Sequence, residues 1–182
     1  SGGNMVIIDQ LKTGKSVTYT ASCSGKPDED VAKNDGVFFS FLWKDAASNV
    51  KFELETPDGK STGELSEGSG ILKTGQYKIF YSREVSPKGT VMMKFGASTQ
   101  DSDIVRGKFK IKVTSDKDQE IRGYVVDVTQ SWSGNARWVN SNAITDESNI
   151  CFPSTADSCM AIGAYVFNVG WMDQVGDLAS YS

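Results

Sequence analysis

The chain contains no histidine. Serine or cysteine nucleophiles that rely on an imidazole need a ring of near-neutral pKa to take a proton and return it to the leaving group. That chemistry cannot be completed within these 182 residues. Histidine-based zinc sites are excluded for the same reason. The three cysteines, Cys23, Cys151 and Cys159, also lack the paired close spacing of a zinc knuckle. No metal or other cofactor is expected, with one reservation for calcium taken up below.

A basic surplus is missing as well. The net charge is −4 and the pI about 4.9, and Lys108, Lys110 and Lys112 stand singly instead of forming a stripe, so nucleic acid is not an expected partner. No apolar run approaches the roughly 20 residues of a helical membrane span. The opening Ser1-Gly2-Gly3-Asn4-Met5 has neither a basic nor an apolar region, so an export signal is expected only on a longer precursor. No Asn-x-Ser/Thr acceptor occurs. Cys151 and Cys159 flank Pro153 and are placed to close a small loop; as isolated residues they would simply be small and apolar. The odd count makes Cys23 either a buried thiol or one paired outside these residues.

What the chain has is period-2 alternation, with almost no helical periodicity. Val17, Tyr19 and Ala21 alternate with hydroxyls over 16–22. Residues 37–43 form an apolar run suited to a central strand covered on both faces. Val50, Phe52 and Leu54 alternate with Lys51, Glu53 and Glu55. Further strands are predicted over 76–83, 90–95, 108–113 and 121–128. Thr56-Pro57-Asp58-Gly59-Lys60 and Ser86-Pro87-Lys88-Gly89 mark turns. Short strands so punctuated predict a mainly β chain, with residues 15–129 an antiparallel β-sandwich or jelly roll. Phe39, Phe41, Phe52, Leu54, Ile79, Phe109 and Ile111 are its expected core. Residues 130–149, polar and rich in Asn and Ser, read as an irregular connection. Residues 160–167 read as a buried strand of a different kind.

Phe152-Pro153-Ser154-Thr155-Ala156-Asp157-Ser158-Cys159-Met160-Ala161-Ile162-Gly163-Ala164-Tyr165, with Gly176 to Ser182 after it, resembles a stretch of the subtilisin-like serine peptidases. That stretch reads Pro, small residues, Ile-x-Val-Gly-Ala, then a surface loop and a Ser-Phe-Ser-Ser-x-Gly-Pro turn. Ser1-Gly2-Gly3-Asn4 is similar to the family's Ser-Ala-Gly-Asn segment, whose asparagine amide donates to the oxyanion and whose small residues line the specificity pocket. The resemblance implies Asn4 as an oxyanion donor and Gly2 and Gly3 as pocket wall. The other reading of Ser1-Gly2-Gly3 is the remnant of a cleaved tag.

In the family the two segments lie close together in the chain; here residues 5–151 intervene. The resemblance therefore implies a sandwich inserted into the catalytic α/β domain, with 1–14 and 130–182 as flanking pieces of that domain. Some subtilases, clostridial spore-germination proteases among them, carry such a jelly roll. Phe39-Ser40-Phe41-Leu42-Trp43 and Lys51 to Gly59 resemble its Leu-x-Ile-x-Trp and x-Ile-x-Ser-Pro-x-Gly segments. The family's Gly-Thr-Ser-Met-Ala-x-Pro segment, which carries the nucleophile, is absent from these residues. The chain alone is thus expected to be inactive, with the rest of the catalytic domain and a peptide or protein substrate as partners. A secreted or cell-surface location is expected.

A rival reading is a non-catalytic binding or adhesion module, carbohydrate-directed through Trp132 and Trp138, since exposed indoles stack on ligands. The plainer reading of both is packing of a loop onto its own domain. Asp101-Ser102-Asp103 and Asp116-Lys117-Asp118 offer the hard oxygen donors that calcium takes. They lack the glycine and terminal glutamate of an EF-hand loop, and solvated turns explain them more simply.

Overall fold

The computed structural model describes residues 4–24, 36–100, 105–127 and 136–145, all within one compact unit spanning 2–147. Among them are twelve strands and no helix: β1 (Val6–Leu11), β2 (Ser16–Cys23), β3 (Gly36–Trp43), β4 (Val50–Glu55), β5 (Ser61–Leu65), β6 (Ser69–Thr74), β7 (Tyr77–Val85), β8 (Val91–Thr99), β9 (Gly107–Ser115), β10 (Gln119–Asp127), β11 (Ala136–Val139) and β12 (Ile144–Thr145). They form two antiparallel sheets. One has the order β12-β1-β10-β3-β8-β7-β6, the other β11-β2-β9-β4-β5.

The pairings are nested: β1 with β10, β2 with β9, β3 with β8. Each step from β1 to β4 moves to the opposite sheet, and β8, β9 and β10 return along the same path. This wrapping of a doubled-back chain over two sheets is jelly-roll connectivity. The β6–β7 hairpin widens the first sheet on one side.

Alternation dictates the core. All seven residues expected inside are fully buried, each burial contributing about 1.5–3 kcal/mol. Aromatic rings bridge the sheets. Phe41 of β3 meets Phe52 of β4 at 5.2 Å between centroids, and Phe39 meets Phe109 of β9 at 5.7 Å. On β10 the core position between Ile121 and Val125 is Gly123. A Cβ there would lie 2.7 Å from Ile7 Cγ1 and 2.9 Å from Phe41 Cε1, so the absent side chain lets β1 and β3 close over β10. Both expected turns are present. The first joins β4 to β5 with Gly59 at φ 74°, where the Thr56 hydroxyl donates to the Asp58 carboxylate.

The sandwich extends beyond the expected 15–129 at both ends, because β1 pairs with β10, and β11 pairs with β2. Residues 136–139 and 144–145 are therefore strand, not irregular connection. Val6-Ile7 escapes an alternation rule because both are buried, and β11 is too short to show a period. Strand β3 is central, as expected, but it is covered on one face only: Phe38 is 47% exposed on the other. Lys110 and Lys112 turn out to lie across from acids on β4, Lys110 with Glu55 at 2.9 Å and Lys112 with Glu53 at 2.6 Å. These half-exposed pairs keep the outer face of the second sheet polar and contribute little each.

Candidate functional site

The place where the chain comes into the sandwich also holds the candidate oxyanion residue. Asn4 is exposed and takes a left-handed backbone, φ 74°, which asparagine tolerates better than most residues. Its carbonyl accepts from the Trp138 N–H at 2.7 Å, and the next carbonyl, of Met5, accepts from the Val125 N–H at 3.0 Å. Residues 4 and 5 are thereby held to β11 and to the end of β10.

The chain leaves at the same place. Strand β12 pairs antiparallel with β1, Val6 opposite Thr145 and Ile7 opposite Ile144, and the Ile8 N–H donates to the Ala143 carbonyl at 2.9 Å. Directly opposed residues of an antiparallel pair are about 4.5–5.5 Å apart. The first residue of the first strand and the last of the last are thus neighbours across a ladder.

Trp138 is fully buried between Phe41 (5.8 Å), Phe39 (5.9 Å) and Tyr19 (6.3 Å). It is a packing residue and no ligand platform, which takes one of the two indoles from the carbohydrate reading. Its Nε1–H has no hydrogen-bond partner. Trp132, Gly2, Gly3, Cys151, Cys159, Asp101 to Asp103 and the motif from Phe152 to Tyr165 lie outside the described residues.

Nothing else described has the makings of a reaction centre. Asp116 and Asp118 fasten turns: Asp116 Oδ1 accepts from the Asn49 N–H at 2.8 Å, and Asp118 Oδ1 from the Thr13 N–H at 2.7 Å. Each carboxylate thus holds a separate turn, and no group of three or more metal-ligating side chains occurs among the described residues. A surface depression beside them includes Lys51, Glu64 and Asp116, but Lys51 and Glu64 pair with each other at 3.1 Å. Cys23 is a buried free thiol pushed up to about 12 by burial and then by Asp127, far from nucleophilic. Burial, and next the hydrogen bond to Asp9, raises the Tyr19 hydroxyl too. That bond is 2.8 Å long and gives a core phenol its partner.

Sequence reasoning singled out Asn4 but not the residues that hold it. A four-residue strand inside a polar stretch offers no periodic signal, and the Trp138 N–H is a main-chain group that no motif marks.

The chain is similar in fold to the solved CspB protease of Clostridium perfringens, with a TM-score of 0.66 at 19% identity. The match covers 91% of this chain and 34% of that one, so the chain spans about a third of the protein it resembles. No family model and no curated protein matches it.

Proposed function

We propose that the chain is a segment of a subtilisin-like serine endopeptidase, its jelly roll inserted between the strip carrying Asn4 and the segment around Met160 whose sequence resembles the family's. The observation that carries this reading is the pairing of Val6 with Thr145. A domain whose two ends are strand neighbours can be set into another without prising its attachment points apart. The fold likeness to a protease supports the same reading.

In that reading a triad from sequence beyond these residues attacks the peptide carbonyl. The Asn4 amide donates to the oxyanion as its charge develops, and Gly2 and Gly3 border the specificity pocket. The residues here make no acyl-enzyme by themselves. A secreted or surface-exposed parent fits the reading.

The test is peptidase turnover of the complete protein. Asn4→Gly removes the amide and keeps a backbone free to adopt φ 74°. It should lower kcat by about 10²–10³ with KM little changed, the magnitude being that known for the oxyanion donor of subtilisin. Residues 1–182 alone should show no turnover. Unaltered kcat in the variant would remove Asn4 from the mechanism, and a parent without peptidase activity would remove the reading as a whole.

A further inference from the structure

The outer face of the first sheet carries a row of apolar side chains that its interior has no use for. Register places Val126 opposite Phe38, Phe38 opposite Gly96, Gly96 opposite Phe80, and Phe80 opposite Ile71, so the row crosses β10, β3, β8, β7 and β6 without a polar interruption. Phe38 is 47% exposed, Phe80 44% and Ile71 72%. Its middle is built to be smooth: a Cβ on Gly96 would come within 3.1 Å of the Phe38 ring, which lies over that glycine. Single exposed apolar residues are ordinary on a protein surface, whereas a continuous row marks a contact.

The row ends at an edge. Among the described residues strand β6 has β7 on one side and no partner strand within its sheet on the other, which leaves an edge whose backbone can pair with another strand. Two residues along the same face from Ile71 lies Lys73, directly opposite Lys78. Among the described residues neither lysine has an ion-pair partner, and like charges set opposite each other repel. An acidic group would relieve the repulsion. The edge also lies five strand spacings from β1, roughly 24 Å from where the chain comes in and leaves.

From this we infer that β6 and the row Ile71, Phe80 and Phe38 form a docking edge for an acidic, amphipathic β-strand of another polypeptide. The incoming strand adds to β6 through main-chain hydrogen bonds. It sets an apolar side chain beside Ile71 and a carboxylate beside Lys73. The inference does not depend on peptidase activity.

A short fluorescent peptide with isoleucine and glutamate two positions apart among threonines is the probe, titrated by anisotropy against the intact chain. The matched peptide with lysine in place of glutamate is the control. Saturable binding of the acidic peptide is expected, with slowed amide exchange in β6. Ile71→Asn, a change at an exposed position, should weaken it about tenfold. Lys73→Glu should weaken it roughly two- to fivefold and improve binding of the lysine peptide. The inference is overturned if neither peptide binds, if both bind alike, or if Ile71→Asn changes nothing. It is equally overturned if the row instead drives self-association in sedimentation, or retention on anionic phospholipid vesicles, that Ile71→Asn abolishes.

Discussion

The main-chain N–H of Trp138 donates to the carbonyl of Asn4 at 2.7 Å, so the residue nearest the proposed chemistry is pinned by a residue of the sandwich core. The bond uses backbone on both sides. Asn4 can therefore lose its side chain without losing the bond, and what matters for stability is whether the replacement accepts φ 74°. Asn4→Gly should leave the melting temperature of residues 1–182 nearly unchanged. Asn4→Ala should lower stability by about 1 kcal/mol, since a Cβ is strained in the left-handed region. Denaturant melts of the two variants separate backbone strain from any role of the amide.

Trp138 itself fills the space between Tyr19, Phe39 and Phe41. Trp138→Ala should cost about 3–5 kcal/mol through the cavity it leaves. Trp138→Phe should cost less than half of that, because it keeps a ring and discards an indole N–H that is buried without a partner. Equal losses in urea titrations of the two variants would mean that the N–H is satisfied in solution.

Gly123 offers the opposite experiment. Its Cβ would fall inside contact distance of Ile7 and Phe41, both fully buried and hemmed in. Gly123→Ala should therefore destabilise by about 1–3 kcal/mol through overpacking, against the small gain that removing a glycine usually brings. A variant as stable as the parent chain would show that β1 can shift away from β10.

Acid sensitivity follows from the surface carboxylates. The Thr56 hydroxyl holds Asp58 below its ordinary range, the Thr13 N–H does so for Asp118, and Lys112 does so for Glu53. A carboxylate with a depressed folded pKa contributes stability above its unfolded value of about 4, and the contribution is lost as pH falls through the folded value. Stability should decline below pH of about 4. With no histidine to titrate, it should be flat between about pH 6 and 8. Thermal melts across that range test both halves.

The alkaline side turns first on Cys23, with the raised Tyr19 and Tyr77 hydroxyls following at higher pH. Its folded thiol is raised to about 12, so its contribution is fully present below the unfolded value of about 8.5 and is lost as pH climbs from there toward the folded value. Cys23→Ala should reduce the steepness of the fall in stability above about pH 9. Thiol-specific reagents should label native Cys23 only at the rate of unfolding, which exchange with an aromatic disulfide would measure.

Alternation along single strands was enough to determine the sheet class and the seven core residues, because which way a side chain points is set by its immediate neighbours, and the Pro-x-Gly segments marked the turns at Gly59 and Gly89. The lysines of β9 were legible as residues but not as partners, since Glu53 and Glu55 meet them only through the β4–β9 register. The same limit hid β1, β11 and β12, which owe their place to the strands they join and carry little pattern of their own. Asn4 was singled out as a candidate by its motif, while the main-chain bond from Trp138 that holds it and the pairing of Val6 with Thr145 came only with the tertiary structure. Likewise Phe38, Phe80 and Ile71 read as ordinary strand residues until register aligned them across β3, β7 and β6. Local chemistry decides which face a residue takes; contacts between residues distant in the chain decide what that face meets, and those arise only when the two sheets close on their common core.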